Sequence, residues 1–406
     1  MSGPFIFWFS SLVFLVWLLQ TIDLVSGVLL KLPFLSCHSR TILGGNPLVH
    51  RSPTKTFGDD KAPKISVVFA ARNEAASVGE TLRMLLSQDY PDFEVIAVND
   101  RSEDKTLSIL QSFSHDSRLK ILNIQELPPH WLGKTHALYQ GYLISTGEYL
   151  VFTDADVLFL PGTLKAAMAI LCHSRERGNP FCDHLVLFPK LLTGGFVERA
   201  FTQVFGLALF RRFRPWQASN PKSLAHMGIG AFNMIRRSAY EKIGTHQRLA
   251  LEVVDDVTLG RLVKENGLRQ RVMSGIDFIS VPWVANAGGV VKSLEKNAFA
   301  GMGYSVFTLL AATLAIMALD ILPFFFLFLT HGPAFYFNLG TLLCLLLISL
   351  AACRKMSGDW RLFWTHPFAS LLLLFILWRS AFLILRAGGV RWRDTFYSLD
   401  QLKNQT

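Results

Sequence analysis

Asp154-Ala155-Asp156 places two carboxylates two residues apart, directly after the apolar run 149–153 (YLVFT). Alternate residues leaving a strand point to opposite faces, but a turn after the strand can bring both carboxylates to one hard cation. Mg2+ or Mn2+ favours such oxygen ligands and usually shares them with substrate phosphates. Two more polar clusters follow apolar runs in the same way. Arg72-Asn73-Glu74 follows ISVVFAA at 65–71, and Asn99-Asp100-Arg101-Ser102 follows FEVIAV at 93–98. Singly, each has a plainer reading, because Asp and Asn also cap helices and open turns; Asp104 or Ser102 fits such a cap.

The elements that must carry these clusters alternate along the chain. Strands are expected at 65–71, 93–98, 119–123 and 149–153, where short apolar, β-branched runs suit buried positions. Between and after them, helical periods cover 75–87, 106–113, 135–145 and 162–171, the last opened by Pro161. This β-α-β-α order predicts an α/β domain with a mostly parallel sheet covered by helices on both faces. In such a sheet ligands bind at the carboxyl ends of the strands, where all three polar clusters would gather.

Four segments occur in order: ISVVFAARNEAASV, FEVIAVNDRSEDKT, LGKTHALYQGYLISTGEYLVFTDADV and VVDDVTLGRLVKENG. Over about residues 64–275 they resemble the family 2 glycosyltransferases, which have the GT-A fold. The resemblance implies an inverting transfer from a nucleotide-sugar, usually a UDP-sugar. It assigns Ala71, Arg72 and Glu74 to the loop lining the nucleotide pocket, and Asp100 to reading the uracil. The family often has two Asp there; Asn99 stands first in this chain. Lys134 matches a residue near the donor, where a cation could face the diphosphate; the plain alternative is a solvated lysine at a helix start. Asp154 and Asp156 match the metal-binding DxD, with Asp154 also on the donor. Val254-Asp255-Asp256 matches a later acidic pair. Transfer to a hydroxyl needs a base; Asp256 aligns with it and Asp255 is the fallback, though the pair would equally cap a helix over 257–265. Gly230, in GIGAFNMIRR, is an acceptor-side candidate because glycine allows close backbone approach.

The ends of the chain are of another kind. Of the 406 residues 51% are hydrophobic and 17% charged, and the apolar excess gathers at 5–30 and 305–385. That excludes a purely soluble enzyme, and the ordinary polarity of 31–304 excludes a bundle of helices alone. The 33 Phe and 9 Trp exclude disorder. The first apolar run is long enough to span a bilayer. With no Lys or Arg in the first five residues and no A-x-A-like site after it, it reads as an uncleaved anchor. Gln20 and Asp23, near its end, suit the interface better than a proton path. Lys31, Arg40, Arg51, Lys55, Lys61 and Lys64 follow, which puts the central domain on the cytoplasmic side.

Three further apolar segments, 305–330, 334–353 and 368–385, make four spans the simplest count. Yet Arg386, Arg391 and Arg393 favour a tail inside, and Arg379 interrupts the last segment, which leaves open a re-entrant or interfacial piece. The expected organisation is an anchor at 1–35, a linker at 36–63, a catalytic domain at 64–300, about three membrane helices at 301–386 and a basic tail at 387–406. The chain is thus expected to be multi-pass in a bacterial-type inner membrane.

No QxxRW motif of processive polysaccharide synthases occurs. GGVRWRDTFY at 388–397 and KSLEKNAF at 292–299 resemble instead the membrane family 2 enzymes that glycosylate hopanoids and carotenoids. The implied partners are a nucleotide-sugar donor, a lipid acceptor and the membrane, with no nucleic acid; the net charge of +10 suits anionic lipid and diphosphate. Residues 196–216, with FGLALFRRFRPW, form an interfacial pattern that would set the site beside the bilayer. The implied reaction is a single transfer to a lipid. A processive synthase, a polyprenyl-phosphate glycosyltransferase, a nucleotidyltransferase, or a transporter or scaffold with a degenerate sugar-nucleotide module are the alternatives. The five Cys show no CxxC, and Cys172, His173, Cys182 and His184 fit no zinc spacing.

Overall fold

The computed structural model describes residues 4–35, 62–176, 182–284, 286–356, 358–392 and 395–403. Most of the expected linker, with Arg40, Arg51, Lys55 and Lys61, lies outside the described residues, as do 177–181 and Arg393. The first four strands are β1 (Ile65–Ala71), β2 (Phe93–Asp100), β3 (Leu119–Ile124) and β4 (Tyr149–Asp154). They pair in parallel in the order β3-β2-β1-β4. Six more follow: β5 (Leu158–Phe159), β6 (His184–Phe188), β7 (Lys190–Thr193), β8 (Asn233–Arg236), β9 (Gln270–Ser274) and β10 (Ile279–Val284). β8 joins antiparallel to β4, β6 antiparallel to β8, and β9 parallel to β6, completing a seven-stranded sheet. β5, β10 and β7 form a small second sheet. This is the mostly parallel α/β architecture that the sequence predicts.

The near-continuous apolar runs of β1 and β2 follow from burial on both faces. Val67, Phe69, Val95 and Ala97 pack with Leu82 and Leu85 of helix Val78–Leu86. Val68, Ile96 and Val98 pack on the other face with Ala137 and Leu138 of helix Gly133–Ile144. That helix sits so close that a Cβ on Gly141 would lie 2.4 Å from Val68 Cγ1. The register levels the strand ends: Ala70 pairs with Asp154 and Ala71 with Asn99. All three predicted polar clusters therefore leave the sheet at one edge.

Among the described residues four helices are long and apolar enough to cross a membrane: Pro4–Leu29, Val306–Leu329, Pro333–Cys353 and Trp360–Ala387. The first is tied to the domain by its exit, where Leu35 N–H donates to Ser274 O (2.8 Å) and Ser274 N–H to Pro33 O (2.9 Å). Helix Phe196–Phe213, in the segment expected at the lipid surface, and the Arg214 that follows it turn two arginines onto acidic partners. Arg211 forms a bidentate pair with buried Asp320 (2.8 and 2.7 Å), and Arg214 pairs with Asp23 (2.8 Å). Arg379 is likewise matched, donating to Glu295 at 2.7 Å. The expected basic tail is folded: it forms the hairpin β11 (Gly389–Trp392) and β12 (Thr395–Ser398).

Candidate active site

Lys134 is the second residue of helix Gly133–Ile144, and the helix aims it over the end of β4. Its Nζ lies 2.8 Å from Asp154 Oδ1 and 3.6 Å from Asp255 Oδ1. It is no solvated helix-start lysine. Burial lowers the proton affinity of its ammonium, but Asp154, Asp255 and Asp256 outweigh that and hold it above the usual lysine range.

Asp255 and Asp256 open helix Asp255–Glu265, two residues earlier than the periodicity predicts, so they sit in its first turn rather than ahead of it. The helix N-terminus favours their negative charge. Asp256 is held from two sides: Gly230 N–H donates to Oδ2 (2.7 Å) and Val257 N–H to Oδ1 (2.8 Å). Gly230 is required by space, because a Cβ there would lie 2.3 Å from Asp154 Oδ2. Lys134, Asp154, Gly230, Asp255 and Asp256 thus line one recess, with Asn233 and His246 behind them.

The recess carries more carboxylate than one lysine can balance. Burial pushes Asp255 up to about 7, with Asp256 and Asp154 adding to the shift and Lys134 opposing it. Asp256 is also raised by burial, against Lys134 and its two N–H donors. Asp156 is raised to about 6, first by burial and then by Asp154 and Glu74. This donor chemistry suits a hard divalent cation with phosphate oxygens as its remaining ligands, which needs only one or two protein carboxylates. Among the described residues no cluster of three or more His, Cys, Asp or Glu side chains could hold a metal by itself.

The other predicted residues flank this recess. Ala71 ends β1 in the core. Arg72 and Glu74 are in the following turn, where Glu74 N–H donates to Thr106 Oγ1 (2.8 Å) and Ser77 Oγ to Glu74 Oε2 (3.2 Å). Asp100, at the end of β2, is buried and engaged by Arg101 through Nε (2.8 Å) and Nη2 (3.2 Å). Asp104 does act as a local cap, accepting from Thr106 N–H at 2.9 Å. His184 is a core histidine between Asn233 and Gln270, pushed down to about 4 by burial.

Sequence reasoning passed over three positions. His246, at the back of the recess, is paired with Tyr240 (2.5 Å) and pushed by burial to about 3, so it is neutral. Trp131 precedes the Lys134 helix and stacks on Tyr139 (5.3 Å between centroids). Tyr397 of β12 donates its hydroxyl to Trp131 O at 2.8 Å. None has a local signal, since each partner is fixed by the fold; the tail motif at 388–397 pointed to the segment but not to its place.

Residues 66–244 match the family model described as glycosyl transferase family 2. The 4,4'-diaponeurosporenoate glycosyltransferase of Staphylococcus aureus strain N315 is 25% identical over 233 residues, 57% of this chain and 59% of that protein. The corresponding protein of strain MRSA252 is 25% identical over 232 residues, with the same shares. The chain spans about three-fifths of the length of these curated relatives. Among solved structures, the mannosyltransferase PcManGT from Pyrobaculum calidifontis, in complex with GDP-Man and Mn2+, is similar at 17% identity. That similarity covers 92% of this chain and 98% of that one, with a TM-score of 0.48. S. aureus TarS 1-349 in complex with UDP-GlcNAc is similar at 18% identity over 82% and 94%, with a TM-score of 0.41. Asp255 and Asp256 lie beyond the matched residues, but the acidic edge at Asp154 that faces them lies within the stretch, 66–244, that matches glycosyl transferase family 2.

Proposed function

We propose that the protein is a membrane-bound inverting glycosyltransferase that moves one sugar from a nucleotide-sugar, a UDP-sugar by preference, to a lipid acceptor. The observation that carries this reading is the meeting of Lys134, Asp154, Asp255 and Asp256 at the edge of a family 2 domain that is packed on membrane-length helices. Asp154 and Asp156 would hold Mg2+ or Mn2+. When bound, the cation supplies charge neutralisation for the diphosphate leaving group. Lys134 faces the same diphosphate, and Ala71, Arg72, Glu74 and Asp100 line the nucleotide.

Asp256 takes the proton of the acceptor hydroxyl. Its two N–H donors orient the carboxylate, and its raised proton affinity makes it a better base near neutral pH than an ordinary aspartate. Gly230 shapes the acceptor side. The acceptor oxygen then attacks the anomeric carbon on the face opposite the leaving group, which inverts it. The lipid reading is supported by the apolar helices beside the domain and by the curated relatives, whose name gives a lipid-type acceptor. In this reading 64–300 is the catalytic domain, it faces the cytoplasm, and the acceptor's polar end rises from the bilayer towards Asp256.

The test is incubation of membranes carrying the protein with a panel of radiolabelled nucleotide sugars, followed by lipid extraction. Label entering the lipid phase is expected, and label confined to water-soluble polymer overturns single transfer to a lipid. UDP release that survives Asp256→Asn removes Asp256 from the role of base.

A further inference from the structure

A cavity of about 600 Å3 lies outside the acidic recess, on the β3 side of the sheet edge. Four separate parts of the chain build it. The loop after β3 supplies His130 and Trp131, the loop before Asp255 supplies Leu251, and the C-terminal hairpin supplies Phe396 and Tyr397; Arg101 closes it from the end of β2. Its size suits a small ligand.

Four observations connect this cavity to the nucleotide end of the cleft. Arg101, in its wall, is the residue that engages Asp100. Arg101 and His130 are both held in the left-handed region (φ +53 and +64), which non-glycine residues rarely adopt and which concentrates at ligand clamps. His136, one turn into the Lys134 helix, is 6% exposed, and its Nδ1 is buried without a hydrogen-bond partner. Its ring meets Trp131 edge-on at 5.4 Å, and both Asp100 and Arg101 act on its charge. The hairpin is fixed over this corner by the bond from Tyr397 to Trp131 O, and it emerges directly from helix His366–Ala387 through Gly388 in the left-handed conformation. Aromatic walls with a few polar groups at one end are what a planar heterocycle needs: ring faces to stack on and donors or acceptors along one edge.

We propose that this cavity is the outer part of the nucleoside subsite, joined to the Asp100 end of the donor cleft through Arg101, and that Phe396 and Tyr397 of the C-terminal hairpin are specificity-determining residues in its wall. The inference rests on the donor reading above. It adds that the family 2 domain at 66–244 does not complete its own donor site: one wall is delivered from beyond the last membrane helix.

The test uses the full chain in detergent, with the affinities of UDP and GDP measured calorimetrically in the presence of Mn2+. Phe396→Ala and Tyr397→Ala are each expected to weaken the preferred nucleotide by about tenfold, the loss of one base–aromatic stack. Tyr397→Phe keeps the ring but loses the bond to Trp131 O and is expected to weaken it less. Phe396 is about half exposed, so its variant keeps the test readable if Tyr397→Ala fails to fold. As a second measurement, 5-azido-UDP is expected to label 125–131 or 395–401. Wild-type binding with unchanged affinity in both alanine variants overturns the hairpin's role, and so does labelling of those segments by a photoreactive long-chain alcohol in place of the nucleotide. If the wild type binds neither UDP nor GDP, the donor reading itself falls.

Discussion

Asp255 and Asp256 are neighbours in one helical turn with different surroundings. Asp255 faces Lys134 and is raised to about 7, whereas Asp256 is bound by two backbone N–H groups and also raised. Lys134 lowers the proton affinity of both. Lys134→Met is therefore expected to let both climb, moving the acid limb of the kcat/KM profile to higher pH. Activity at neutral pH should fall by about tenfold per unit of that movement. A loss that is equal at all pH values would mean that Lys134 only binds the donor. The stability consequence has the opposite sign to ordinary acid denaturation. Asp156 at about 6 and Asp255 at about 7 stand above the ordinary aspartate value of 3.8, so between those values the folded chain binds more protons than the unfolded one. These two groups stabilise the metal-free fold as pH falls from about 7 towards 4, and that contribution is lost as pH rises through their folded values. Thermal midpoints in EDTA are expected to depend less on pH in Asp255→Asn than in the wild type; parallel curves would contradict the assignment.

At the scale of elements, helix Gly133–Ile144 is the device that brings the distant acids together. Its N-terminal end carries Lys134, and its depth is set by Gly141 against Val68 and Val98. Gly141→Val would overpack that contact at a cost of about 1–3 kcal/mol. Because the helix can only relieve the clash by moving off the sheet, the same substitution is expected to raise KM for the donor. A lowered melting temperature with KM unchanged would show that Lys134 is positioned independently. The boundaries of this helix are within two residues of the sequence expectation of 135–145, since its apolar period is local. The start of helix Asp255–Glu265 is displaced by two residues because its first turn is held by contacts with Gly230 and Lys134, which no local period records.

At the scale of the molecule, the domain and the apolar helices are joined by buried polar contacts. Asp320 sits in a π-helical turn, Met317–Ile321, and accepts from Arg211 Nη1 and Nη2 and from His366 Nε2 (2.8 Å), while Trp17 lies 4.3 Å under the Arg211 guanidinium. Removing one member leaves uncompensated buried charge, so Asp320→Ala should cost about 3–5 kcal/mol. The paired replacement Arg211→Met with Asp320→Leu should recover most of that. Additive losses in the double variant, measured by thermal unfolding in one detergent, would show that the pair is not coupled.

The sequence by itself determined what is local. The first four strands, the helices between them, the acidic turn at Asp154–Asp156 and the apolar segments follow from composition and period, whereas β5 to β10 carry no such signal. The family resemblance, read from four such local segments, reached the later acidic pair as well. Only the tertiary structure decided which distant groups meet. Lys134 with Asp154 and Asp255, Arg211 with Asp320, and Tyr397 with Trp131 are separated by 20 to 266 positions. Such pairs depend on the angle at which helices and loops return to the sheet, and that angle is set by packing rather than by any periodicity along the chain.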